Sequence, residues 1–419
     1  MAEVDVYLYG THIGTLSQLK NKYELRWTHE AISRFGFGAE CLSDRLPIGF
    51  EAKTADIESF FGGLLPEAAG LKVLARRAKC PENDLLGLLK YTTPDLPGAV
   101  VLDKRQDGNY LPIDDKGIEK KMKNTGRYPL GNVGGGGSLT GYQPKITLTR
   151  FGEEWFDSDN GATSTHILKP SSKEHERSAW WEHYCLCLAR ELKLCNFTTV
   201  VTTFGQTPAL VIERFDRKIK DKFQVEKIHQ EDFSQVLGVG WDSDAKFEHN
   251  NPKSSYKNIA AVLKSLPNIS AVEKSLNFLM YSLLFNLCIG NTDAHTKNHG
   301  LLKPKDGEEN LAPLYDLFPL ALSYEGTKSM ALSVNDKTYL GSISLDDVLT
   351  EIKSWKVPIK NLEIIVTEFL EKLKKANSSI DIPEAGKHLP KYIDIVCSRL
   401  LEGKAAFPVT PIPFILTKM

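Results

Sequence analysis

Apolar positions alternate along the first half of the chain and recur at helical steps along the second. Residues 4–9 and 13–16 flank Gly10-Thr11-His12 and predict a hairpin, with 22–27 a further strand. Between 55 and 78, Ile57, Phe60, Phe61, Leu64 and Leu65 follow three- and four-residue steps, and Pro66 must begin a new turn or helix. Pro81-Glu82-Asn83-Asp84 offers capping residues for a short helix over 85–89, and 98–102 returns to strand. Further strands are expected at 146–149, 165–170, 199–203 and 209–212. Among them lies a helix over 178–193, whose Trp181, Tyr184, Cys185 and Leu188 share one face.

From His229 the pattern turns helical. A helix is expected to begin at His229-Gln230-Glu231-Asp232-Phe233, and 256–265, 270–289, 343–356, 360–376 and 386–402 all carry the helix period. The polar stretch 241–255 reads as a loop, and the tail after Gly403, with Pro408, Pro411 and Pro413, as extended chain. Strands first and helices afterwards imply an α+β protein whose site lies between the two halves.

Composition narrows the class. With 419 residues and 42% apolar content the chain can build proper cores for two or three domains. The 52 basic and 53 acidic residues leave a net charge of −1, so no overall field draws it to nucleic acid or an anionic membrane. Seven scattered cysteines suit buried thiols in a reducing compartment, and Cys185-x-Cys187 has no second pair at zinc-finger spacing. The first residues lack the basic and apolar segments of a secretory signal. The most apolar stretch, Leu276 to Ile289, contains Asn277 and Asn286 and falls short of the ~20 residues that span a bilayer. Cytoplasm is the expected location.

The candidate chemistry centres on residues 281 to 318, YSLLFNLCIGNTDAHTKNHGLLKPKDGEENLAPLYDLF. An apolar helix breaks at Gly290, and Asn291, Asp293, His295, Lys297 and Asn298 follow within eight residues. Phosphoryl transfer requires a carboxylate that orients the hydroxyl nucleophile, together with an amide and a second carboxylate that hold magnesium. Asp293, Asn298 and Asp316 are of those types, and the D-x-x-x-x-N interval is that of a kinase catalytic loop. The same residues also suit an ordinary loop after a helix, because Asn, Asp and Gly tolerate left-handed backbone.

Upstream, Gly134 to Gly137 run into SLTGYQPK, residues 138–145, and then a strand. The stretch is either a flexible linker or a turn whose backbone N–H groups approach phosphate oxygens, with Lys145 beside them. Lys169, at the end of THILKP, is either a solvated charge or the partner of Glu182 in a phosphate-binding pair. The strand ending in Glu213-Arg214-Phe215-Asp216-Arg217 leads either to a solvated turn or to a hinge that meets adenine.

The ordered blocks SLTGYQPK, THILKP, WWEHYCLCLA, VIERFDR, IHQEDFSQ, NTDAHTKNH and PLYDL strongly resemble the HipA-type toxin kinases of bacterial toxin–antitoxin modules. The resemblance runs from LLPEAAG at 64–70 through Asp316. It implies a two-lobed, protein-kinase-like serine/threonine kinase fold. Residues 1–105 would form an N-terminal α+β subdomain, 106–222 a nucleotide-binding lobe with sheet and glycine-rich loop, and 223–419 a helical lobe with the catalytic and metal-binding loops. It also implies ATP and magnesium as cofactors. Thr140, Gly141, Tyr142, Gln143 and Lys145 would cover the phosphates, Lys169 would contact them, and Glu213 and Phe215 would meet adenine. His295 and Lys297 would join the nucleotide site, Asp293 would be the catalytic aspartate, and Asn298 and Asp316 the magnesium ligands. Ser138 occupies the place of an inhibitory autophosphorylation site, and Thr140 is a second candidate.

The implied partners are a HipB-like helix-turn-helix antitoxin, through which alone DNA is reached, and a protein substrate such as an aminoacyl-tRNA synthetase. The family's commonest loop reads S-x-x-G-A-Q-x-K, and here Tyr142 stands in place of its small residue. The alternative function is a non-catalytic ATP-binding regulator acting with an antitoxin at DNA.

Overall fold

A computed structural model of the protein describes residues 3–20, 22–92, 95–103, 108–125, 144–158, 161–171, 176–241, 244–323, 326–357 and 359–407. Ser138, Thr140, Gly141, Tyr142, Gln143 and the tail from Pro408 lie outside these residues. Packing gathers the chain into two compact units, one of residues 1–170, 202–245 and 301–308, the other of 171–201, 246–300 and 309–419.

In the first unit an antiparallel sheet runs in the order Lys22–Trp27, Thr11–Leu19, Glu3–Leu8 and Val100–Leu102. Alternation sends Val4, Val6 and Leu8 inward, where they are fully buried. Helices Thr54–Gly63, Ala68–Ala78 and Leu85–Tyr91 close this core with Ile57, Phe60, Phe61, Leu74, Leu85 and Leu88. Pro66 falls between the first two of these helices, because proline cannot donate to a continuing helix.

The second sheet runs Leu111–Pro112, Glu154–Asp157, Ile146–Phe151, His166–Pro170, Thr207–Glu213 and Thr199–Phe204. Its core holds Ile146, Leu148, Leu168, Ala209 and Val211 together with Ile118 and Met122. The last two come from a helix, Asp115–Thr125, and are the apolar pair in an otherwise mostly polar stretch. Two apolar side chains four residues apart are enough to seat it, but too few to register as a period.

The segment expected to begin a helix at His229 is a strand, His229–Asp232, and the helix starts only at Phe233. His229 and Glu231 alternate inward. Asp232 then caps the helix reciprocally with Gln235, accepting from the Gln235 N–H at 2.9 Å. The first four residues expected to open the helix belong instead to the preceding strand.

The second unit is mostly helical, built from Glu176–Glu191, Tyr256–Lys264, Ile269–Ile289, Leu345–Ser354, Leu362–Ser379 and His388–Leu401. The Trp181 indole donates to the Ala385 carbonyl at 2.9 Å, and Tyr281 stacks on Phe369 with ring centroids 4.7 Å apart. A hairpin, Ser329–Val334 with Lys337–Tyr339, was not expected in this half. It turns on Asn335 and Asp336, both left-handed. No helix among the described residues is long and apolar enough to cross a membrane.

Two buried histidines are held neutral. His229 Nε2 lies 2.7 Å from the Leu42 carbonyl, with Nδ1 facing the Ala99 N–H, and burial lowers its pKa to about 4. His299, under Tyr256, is lowered to about 4 for the same reason. Between pH 6.5 and about 4 the unfolded chain therefore binds protons that the folded chain refuses. Stability should fall as pH drops through that window, by on the order of 3 kcal/mol for each histidine. Urea midpoints measured from pH 7 to pH 4 should track this decline, and a midpoint that stays level to pH 4.5 would contradict neutral burial.

Candidate active site

The helix Ile269–Ile289 stops at Gly290, whose φ of 71° is left-handed. A Cβ there would stand 2.9 Å from the Tyr392 hydroxyl and 3.1 Å from the Ala321 side chain, so both backbone and space demand glycine. The N–H of Asn291 returns to the Asn286 carbonyl at 2.9 Å and closes the helix end.

The eight residues from Asn291 to Asn298 are buried except for two, Asp293 and Asn298. The Asn298 amide donates to the Asp293 carbonyl at 2.8 Å, and the His295 N–H to the same oxygen at 2.7 Å. The loop is thus closed on main-chain oxygen. With its NH2 committed, Asn298 offers Oδ1 to any cation. Thr296 anchors the far side through its hydroxyl on the Lys246 carbonyl at 3.1 Å.

Two bonds bring the Leu314-Tyr315-Asp316 segment to this loop. The Tyr315 hydroxyl donates to the Lys297 carbonyl at 2.8 Å. Asn291 Nδ2 donates both to Asn286 Oδ1 at 2.8 Å and to the Asp316 carbonyl at 3.3 Å. Asp316 itself is left-handed, at φ 56°. Asp293, His295, Lys297, Asn298 and Asp316 are therefore gathered in one unit by direct bonds. Asn286, Asn291 and Tyr315 do the gathering, and sequence reasoning assigned them no role. The one available signal was Asn286, a polar residue inside the most apolar stretch of the chain.

His295 lies under the loop, edge-on to Phe247, with Nε2 4.0 Å from Asp293 Oδ1. Burial, reinforced by the Lys246 charge, holds its pKa well below the ordinary value, so the ring beside Asp293 is neutral. Its Nδ1 and the Asn291 Oδ1 are buried polar atoms without a hydrogen-bond partner among the described residues. Two carboxylates and one amide oxygen are the donors a hard divalent cation takes. Among the described residues no group of three or more His, Cys, Asp or Glu could hold a metal ion.

Lys145, Lys169, Glu213 and Phe215 belong to the first unit. Lys169 is only 5% exposed and stands opposite Leu210 in the antiparallel pairing of His166–Pro170 with Thr207–Glu213; Glu213 stands opposite His166. Ile146 pairs with Leu168, so the register continued by one residue puts Lys145 across from Lys169. Both lysines thus lie at the same end of the sheet. Glu213 and Phe215 are half-buried at the exit of the strand that pairs with the Lys169 strand. Glu182 is buried on Glu176–Glu191, in the second unit. Ser138, Thr140, Gly141, Tyr142 and Gln143 lie outside the described residues.

Comparison with known proteins places these features in a family. Residues 4–103 match the HipA N-terminal domain and residues 137–377 the HipA-like C-terminal domain. A putative kinase of Sinorhizobium fredii is 29% identical over 330 residues, 76% of this chain and 77% of its own. The serine/threonine-protein kinase toxin HipA of Shewanella oneidensis is 25% identical over 313 residues, 71% of this chain and 70% of its own. A solved complex of Shewanella oneidensis HipA, HipB and operator DNA contains a chain of the same fold. Its TM-score is 0.81 at 23% identity, covering 95% of this chain and 97% of that one.

Proposed function

This chain belongs to the HipA family and is a serine/threonine protein kinase of the toxin type; from that premise we propose that it transfers the γ-phosphoryl group of ATP to a hydroxyl on another protein, as the toxin of a toxin–antitoxin module. The observation that carries the reading is the loop Asn291–Asn298, in which the two residues not buried are the aspartate and asparagine that such transfer requires.

Asp293 orients the attacking hydroxyl and receives its proton, with the buried, neutral His295 ring beside it. Asn298 and Asp316 would hold magnesium, which would supply positive charge against that developing on the transferred phosphoryl group. Lys145 and Lys169 meet the phosphates, Lys297 adds positive charge near Asp293, and the backbone at Glu213 and Phe215 meets adenine. Thr140, Gly141, Tyr142 and Gln143 cover the phosphates. Phosphorylation of Ser138 would set a doubly charged group against those of ATP and switch the enzyme off.

The partners in this reading are a HipB-like helix-turn-helix antitoxin and a translation enzyme of the aminoacyl-tRNA synthetase class. Support comes from the resemblance of the sequence blocks and from the solved relative, a complex with HipB and operator DNA. DNA is reached through the antitoxin, because the chain's own net charge is −1. The cytoplasm, where ATP, antitoxin and synthetases meet, is the proposed location.

Incubating the purified chain with labelled ATP and magnesium tests the assignment. Label should appear on Ser138, and the labelled protein should transfer nothing further. A parent chain that puts no label on Ser138 while binding ATP would overturn the inhibitory autophosphorylation.

A further inference from the structure

Four charges are buried together in the first unit. Asp95, Arg214, Asp216 and Arg217 have side chains no more than 4% exposed. Arg214 grips Asp216 with Nε and Nη2, both at 2.9 Å, and reaches Asp95 Oδ2 with Nη1 at 3.2 Å. Arg217 reaches Asp95 Oδ1 at 3.0 Å and the carbonyls of Leu96 at 2.7 Å and Gly98 at 3.0 Å. Ser164 donates its hydroxyl to Asp95 and accepts from Arg214 at 2.9 Å, while Asp216 accepts the Gly98 N–H at 2.9 Å. Gly98 is left-handed at φ 72°, and a Cβ there would lie 2.9 Å from the Gln230 nitrogen, so the backbones meet only through glycine.

The cluster joins three segments. Asp95 to Gly98 belong to the HipA N-terminal domain match, Ser164 precedes the strand that carries Lys169, and Arg214 to Arg217 leave the strand that ends at Glu213. Burial alternates along the last segment: Arg214 and Asp216 point into the cluster, while Glu213 and Phe215 are half-exposed. The residues on either side of Phe215 are therefore fixed by forked, directional bonds. A buried ion cluster adds little stability over an apolar core of the same volume, but it specifies geometry.

We propose that this four-charge cluster is a positioning device through which the N-terminal domain sets the backbone at Glu213 to Phe215 for the adenine ring. The inference rests on the kinase reading above. The N-terminal domain is then part of the nucleotide site's support.

The test uses the full chain with Asp95→Asn, and with Ser164→Ala as the milder change. Autophosphorylation gives the apparent KM for ATP, the rate at saturating ATP, and the preference for ATP over GTP. Asp95→Asn should raise KM about tenfold and reduce the base preference while holding the saturated rate within about twofold; Ser164→Ala should move KM about threefold. Simple loss of folded protein lowers the rate and leaves KM and base preference alone. That outcome, or parental values of all three in a folded variant, would overturn the positioning role. Should Asp95→Asn fail to fold, Ser164→Ala decides alone. A parent chain that binds no ATP would overturn the kinase reading and the cluster's role with it.

Discussion

Asp293→Asn is expected to lower phosphoryl transfer by roughly 10²–10⁴-fold while leaving ATP affinity within a few-fold of the parent. The substitution keeps the size of the side chain and removes its charge and basicity. The bonds that shape the loop survive it, because His295 N–H and Asn298 Nδ2 both use the residue 293 carbonyl and not the side chain. Nearby His295 is a poor substitute as a base, because burial, reinforced by the Lys246 charge, holds its pKa well below the ordinary value and its ring accepts a proton only weakly. Transfer is measured in a single turnover with labelled ATP, and affinity by calorimetry with the same preparations. A variant that retains more than a tenth of the parental transfer rate would remove Asp293 from its role.

Asp316→Asn should weaken magnesium-dependent ATP binding by about a hundredfold, which corresponds to about 2.7 kcal/mol. Asn is the informative replacement because of the backbone. At φ 56° the residue sits where most side chains are strained, but Asn and Asp are tolerated there. The Asn variant therefore isolates the charge, and its thermal unfolding should match the parent's. Asp316→Ala should lose the same binding and about 1 kcal/mol of stability as well. The Asn291 bond to the residue 316 carbonyl is retained by both variants. Binding titrations with and without magnesium, paired with denaturation curves, separate the two effects. If Asp316→Asn bound ATP like the parent with magnesium present, a metal-holding role would be excluded. Expression without an antitoxin adds a cellular readout: growth arrest by the parent and not by the variant requires transfer, whereas equal arrest by both would favour the non-catalytic regulator.

Much of the fold follows from local pattern. The alternation of Val4, Val6 and Leu8 and the helical steps through Ile57, Phe60 and Phe61 predict elements that the structure contains. Short or polar elements escape this reading. Asp115–Thr125 has an inward stripe of two residues, and His229–Asp232 buries a histidine and a glutamate, which no hydrophobic period can register. The way the two units divide the chain is also not a local property, since each collects three separated segments.

At the candidate site the residue types and spacings were visible in the chain itself: Gly290 to end the helix, the five-residue step from Asp293 to Asn298, and the acidic end of Leu314-Tyr315-Asp316. These are set by covalent order and by the few conformations each residue tolerates. Tertiary structure alone decided that Asn291 spans from Asn286 to the Asp316 backbone, that Tyr315 closes on Lys297, and that Asp95 meets Arg214 and Arg217 from more than a hundred positions away. Such contacts form only once apolar packing has brought distant segments together and removed water from between them, and no residue records its eventual partner in its own neighbourhood of the chain.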